Sequence, residues 1–110
     1  MSYSIHYYSE DVEAKVLALP KTLLARYFSL TDRMILMGAN LGEPHTKAFG
    51  GGLFELRLKG AEGVARVFYC TRIERRIVML HSFVKKTEKT PPAERRIAEA
   101  RLKEIQNANS

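Results

Sequence analysis

Leu53-Phe54-Glu55-Leu56-Arg57-Leu58-Lys59 alternates apolar and polar residues, with Phe54, Leu56 and Leu58 on one side and Glu55, Arg57 and Lys59 on the other. Period-two alternation of this kind marks a strand with one buried face. Lys59-Gly60-Ala61-Glu62-Gly63 then reads as a hairpin turn. Val64 to Cys70 forms the return strand, with Ala65, Val67 and Tyr69 on one face and Val64, Arg66, Phe68 and Cys70 on the other. If the strands pair through this turn, facing residues sum to about 122 or 123, so Arg57 and Arg66 become close neighbours. Thr71 to Arg75 is polar and turns the chain, and Arg76 to Phe83 supplies a third strand of an antiparallel meander.

On the N-terminal side, Ala39 to Gly52 contains Pro44 and Gly50-Gly51-Gly52 and reads as a mobile loop. Before it, Leu23, Leu24, Tyr27, Phe28, Met34 and Ile35 give a helix beginning near Pro20 and stopping at Gly38. An earlier helix, capped by Ser9 and ending near Leu19, carries Glu10, Asp11 and Glu13 in its first turn and an apolar stripe that includes Val12 and Val16. Residues 3–8 are aromatic and β-branched enough for a short strand. After the meander, Lys85-Lys86-Thr87-Glu88-Lys89 reads as a charged linker. A last helix follows, capped by Thr90, with Pro91 and Pro92 in its first turn and Ile97, Ala98, Leu102 and Ile105 as its stripe. The expected order is β-α-α-β-β-β-α, an α+β chain.

The 110 residues fit one domain, expected to span 1–110. A domain of that size buries roughly two-thirds of its unfolded surface. The net charge of +6 is unevenly placed. Residues 1–50 are balanced, with Lys15, Lys21, Arg26, Arg33 and Lys47 against Glu10, Asp11, Glu13, Asp32 and Glu43. The whole excess lies in residues 51–110, which suits a polyanion or an acidic protein partner. A solvated basic surface is the plainer alternative. With one cysteine, Cys70, no internal disulfide can form, and His6, His45 and His81 lack metal-site spacing. No signal peptide and no apolar run of about 18 residues is visible, so a cytoplasmic protein without a membrane span is expected.

No phosphate-binding glycine motif, serine elbow or carboxylate cluster appears. Candidate chemistry rests on the basic sheet residues. Arg57 and Arg66 would repel unless an anion lies beside them. That anion is either a bound phosphate, which guanidinium grips bidentately, or a glutamate such as Glu55 or Glu62. His81 is a proton shuttle or a hydrogen-bonded structural residue. Phe83 is a base-stacking ring or core. Lys85, Lys86 and Lys89 are a solvated linker or phosphate contacts at a strand exit.

Gly52-Leu-Phe-Glu-Leu-Arg-Leu58, Ala65-Arg-Val-Phe-Tyr69 and Ile77-Val-Met-Leu-His-Ser-Phe-Val-Lys-Lys-Thr-Glu-Lys-Thr-Pro91 together resemble the phage-derived branch of the RelE/HigB toxin family. The resemblance extends over nearly the whole chain, and His81 to Pro91 is its most specific part. It implies a microbial-RNase-like α+β fold, with an antiparallel sheet, an N-terminal helical hairpin and a C-terminal helix. It also implies a type II toxin that cleaves messenger RNA in the ribosomal A site, inhibits translation and needs no metal or other cofactor. The implied partner is a cognate antitoxin, often a helix-turn-helix protein of the HigA type. Arg57 and Arg66 match the family's basic sheet positions, and Phe83-x-Lys85-Lys86 matches its basic strand end. Taken with the reading of the residues themselves, the expected catalytic set is Arg57, Arg66, His81, Lys85 and Lys86, with Lys59, Phe83 and Lys89 binding RNA. Some members use a C-terminal tyrosine or histidine, and this chain has neither after His81. Two rivals stand beside this expectation. The first is a toxin of the same fold that blocks another target, such as a topoisomerase, without cutting RNA. The second is a non-catalytic basic module binding RNA or protein.

Overall fold

A computed structural model describes residues 2–86 and 89–108. Thr87 and Glu88, in the middle of the charged linker, lie outside the described residues. The elements are β1 (Ser4–Tyr7), α1 (Glu10–Leu17), α2 (Lys21–Met37), β2 (Thr46–Gly50), β3 (Leu53–Gly60), β4 (Gly63–Arg72), a 3₁₀ turn (Ile73–Arg75), β5 (Arg76–Lys85) and α3 (Pro92–Ala108). They build a five-stranded sheet in the order β1-β5-β4-β3-β2. The β3-β4-β5 meander is antiparallel, with Arg57 opposite Arg66 as the residue sums require.

Two features depart from the expected pattern. β1 runs parallel to β5, so the sheet is mixed at that edge. The expected loop at 39–52 contains β2, which pairs antiparallel with β3. The glycine run is the hairpin turn itself. Gly50 pairs with Leu53, and Gly51 and Gly52 have φ of 64° and 92°. Two successive left-handed residues are what a two-residue hairpin turn demands, and glycine supplies them without steric cost.

α1 and α2 cover one face of the sheet. Ser9 accepts a hydrogen bond from the Val12 amide and caps α1. Leu23, Tyr27, Leu30 and Met34 descend one side of α2 onto Leu56, Leu58, Ala65, Val67, Tyr69, Ile77 and Met79. α3 covers the opposite face, but only at one end, where Ala98 and Leu102 meet Leu53, Phe68, Cys70, Val78 and Leu80. The other end of that face, from Arg57 and Lys59 across to Lys85, is left open. No helix among the described residues is long and apolar enough to cross a membrane.

The β3–β4 turn also serves α2. Pro20, the residue before the helix, offers no capping side chain. Glu62 fills the role by accepting from the Thr22 amide at 3.1 Å and from the Thr22 hydroxyl. That hydroxyl in turn accepts from the Ala61 amide at 2.9 Å. Glu62 is therefore a helix cap, not a counter-ion for Arg66, and the Thr22 hydroxyl holds its carboxyl below the usual carboxylate range. Gly60 makes the approach possible, since a Cβ there would collide with Thr22 Oγ1 and crowd Leu23. Gly60→Ala should destabilise the protein by about 1–3 kcal/mol, as overpacking does. An unchanged midpoint in urea denaturation would show that the turn can shift at no cost.

Candidate nucleic-acid interface

Three rows of side chains cross the face that α3 half covers. Lys59 pairs with Val64, and Val64 with Lys85. Arg57 pairs with Arg66, and Arg66 with Phe83. Glu55 pairs with Phe68, and Phe68 with His81. The first two rows lie at the open end, and the third lies at the boundary with α3.

The rows depend on a β-bulge in β5. Phe68 faces His81 and Tyr69 faces Met79, which leaves Leu80 as the extra residue. A bulge shifts the side-chain phase beyond it. Strict alternation would place His81 beside Ile77 and Met79, under α1 and α2. The bulge turns His81, Phe83 and Lys85 onto the α3 side instead.

Glu55 is 1% exposed, although its sequence position suggests a polar outward face. Its Oε1 accepts from Arg57 Nε at 3.4 Å and lies 3.4 Å from Arg66 Nε, while its Oε2 accepts from the Thr90 hydroxyl at 2.9 Å. Thr90, the expected cap of the last helix, thus spends its proton on the sheet. Arg66 is 9% exposed, and its Nη1 donates to the Ala65 carbonyl at 3.3 Å. Its Nε is buried and out of line for a hydrogen bond, so among the described residues it is an unsatisfied donor. Burial lowers the Arg66 pKa below the ordinary guanidinium value, Glu55 opposes that shift, and Arg57 adds to it. Arg57 is more open and also meets the exposed Glu43 at 3.4 Å.

The open end holds two adjoining cavities. One of about 420 Å³ is lined by Arg57, Lys59, Arg66 and Lys85 and, from outside the meander, by Arg26 and His45. The other, about 270 Å³, continues past Arg57 and Lys85 to Lys47, Phe49, Lys89 and Thr90. Arg57, Arg66, Lys59 and Lys85 are thus brought together, with Lys89 next door and Phe83 beside Arg66. Lys86 follows β5, is exposed and lines neither cavity. His81 is 9% exposed and engages α3, its Nε2 lying 3.0 Å from Glu94 Oε2. Its ring stacks on Phe83, whose ring stacks on Phe68, so the aromatic ladder is largely internal. Cys70 is buried, and burial pushes its thiol up to about 11, which leaves it unreactive. Among the described residues no three His, Cys, Asp or Glu side chains converge as metal ligands would.

Arg26, His45 and Lys47 are members of the groove that the strand pattern does not reveal. Arg26 comes from α2, and His45 and Lys47 both lie in the segment read as a loop. Proline and glycine signals there conceal how close it comes to β3.

The structure matches the RelE–RelB complex from the archaeon Pyrococcus horikoshii OT3 with a TM-score of 0.55 and 19% sequence identity, covering 78% of this chain and 98% of that one. Residues 14–103 match the family described as phage-derived protein Gp49-like (DUF891), and the chain belongs to that family and has a RelE-like fold. No curated protein sequence matches the chain significantly.

Removing the charge on Glu55 while keeping its shape would leave two guanidiniums face to face. Breaking a buried ion pair by neutralising one partner costs about 3–5 kcal/mol. Part of that is discounted here because Arg57 is half-exposed, so Glu55→Gln should lose about 3 kcal/mol in denaturant titration. A loss below about 0.5 kcal/mol would mean the guanidiniums need no counter-ion.

Proposed function

We propose that this chain is the toxin of a type II toxin–antitoxin pair and an endoribonuclease acting on ribosome-bound messenger RNA. The observation that carries the reading is the adjacency of part-exposed Arg57 and largely buried Arg66 at the end of the sheet that α3 leaves uncovered. Lys59, Lys85 and Arg26 surround them, and the buried carboxylate of Glu55 is already shared between them. Such a groove fits a phosphodiester, which guanidinium groups bind through paired N–H donors.

In the proposed reaction the RNA 2′-hydroxyl attacks the adjacent phosphorus and loses its proton. The P–O5′ bond breaks, and the departing 5′-oxygen takes up a proton. Arg57 and Arg66 stabilise the extra negative charge on the phosphorane, a preorganised electrostatic contribution for which one donor is worth on the order of 3 kcal/mol. In this scheme Lys85, which lines both cavities, carries a proton. His81, held by Glu94 at the boundary, is assigned to the scaffold. An acidic antitoxin, of the helix-turn-helix HigA type that the resemblance implies, would cover the same groove. Support for such a partner comes from the matched archaeal protein, solved as a RelE–RelB complex.

Induction of the chain without an antitoxin should arrest growth and create new messenger RNA ends within ribosome-covered regions. Arg57→Ala and Arg66→Ala should each lower cleavage on the order of 100-fold while circular dichroism shows a folded protein. Undiminished cleavage by both folded variants would remove them from the site. Growth arrest with intact messenger RNA would assign the fold to another target, and harmless expression would assign it to a binding module.

A further inference from the structure

His45 is placed by its backbone as well as by its ring. Its carbonyl accepts from the Arg57 amide at 2.8 Å, so the loop after α2 is tied to the residue that carries one of the paired guanidiniums. Its amide donates to the Gly42 carbonyl at 3.0 Å, which closes the loop beneath it. The ring lines the same cavity as Arg57 and Arg66.

The neighbour of the ring fixes its proton. Arg26 Nη2 lies 3.4 Å from His45 Nδ1. A guanidinium only donates, so Nδ1 accepts, and the proton of the uncharged ring sits on Nε2. We propose that His45 hydrogen-bonds, through its Nε2–H, the RNA phosphate that Arg57 and Arg66 bind. This rests on the groove being a phosphodiester site, and it assigns His45 a donor's role in which the ring takes up no proton from the 2′-hydroxyl.

The surroundings suit that role. Arg26 and Arg33 approach from α2, Arg57 and Lys59 from β3, Arg66 from β4 and Lys85 from β5, and Glu43 stands in the same loop. Partial burial, then Arg33 and Arg26, lower the imidazole below its ordinary value. These effects favour the uncharged ring. An uncharged imidazole in positive surroundings can polarise a substrate oxygen without giving up its proton.

The test uses ring-¹⁵N-labelled full-length protein and a short RNA whose 2′-oxygens are methylated, so that it binds without being cut. The free protein should show the Nε2–H tautomer of His45 near neutral pH, and bound RNA should shift that Nε2 signal. His45→Gln, whose amide N–H can stand in for Nε2–H, should bind within about threefold of the parent. His45→Ala should bind about tenfold more weakly, as expected for one hydrogen bond to a charged group. An Nδ1–H tautomer, an unmoved signal with RNA bound, or full affinity in folded His45→Ala would overturn the proposal. If His45→Ala fails to fold, the tautomer and the shift in the parent protein still decide. A responding His45 in a protein that cuts no ribosome-bound message would sink the nuclease reading alone. Absence of any RNA binding would sink both.

Discussion

A buried carboxylate set between two guanidiniums governs the organisation of this molecule. Unit charges of like sign about 4 Å apart repel by about 4 kcal/mol at an effective dielectric of about 20, and an interposed opposite charge reverses the balance. Glu55 therefore allows Arg57 and Arg66 to be neighbours at all. The same carboxylate accepts the Thr90 hydroxyl just before α3, and His81 meets Glu94 in the first turns of that helix. Both polar links lie in one row of the sheet. They mark where apolar cover ends and the basic groove begins, so the groove's edge is fixed by the interaction that permits its charge.

Register fixes which side chains take part. A one-residue slip would send every side chain of a strand to the opposite face. In β5 the slip is built in, because the extra Leu80 turns Phe83 and Lys85 toward Arg66 and Val64. Without it Lys85 would lie beneath α2's side of the sheet, and the groove would lose its third wall. The Gly51-Gly52 turn does the corresponding work at the other edge by folding β2 back on β3. That brings Lys47 alongside Glu55, its partner across the strands.

The parts legible in the sequence are those with a local signal. Alternation from Leu53 to Lys59, a glycine-flanked turn and a return strand were enough to pair Arg57 with Arg66. Proline and glycine positions placed both helices of the hairpin within a few residues. The parts that escaped depend on non-local contacts. Ile77, Val78, Met79 and Leu80 are all apolar because β5 is buried on both faces, so alternation there carries no phase and the bulge leaves no trace. Glu55 looks like one more outward charge, and only the arrival of Thr90 and α3 makes it internal. Arg26 and His45 are separated by a helix and a turn, and no spacing rule joins them.

The two carboxylates near Arg57 differ in the property that a phosphate site requires. Glu43 is exposed, and its 3.4 Å contact with Arg57 is of the solvent-screened kind worth at most about 1 kcal/mol. A phosphate oxygen could displace it at little cost and take over the same Nη1 donor. Glu55 is enclosed, accepts from Arg57 and Thr90 and would leave an uncompensated charge if it moved. On the proposed reading, ligand exchange at Arg57 therefore happens on the solvent side only, and the guanidinium keeps its orientation from the buried side throughout. An anion site built this way needs no rearrangement on its buried side when the anion binds. This is the condition under which fixed charge stabilises a transition state more than it stabilises a flexible ground state.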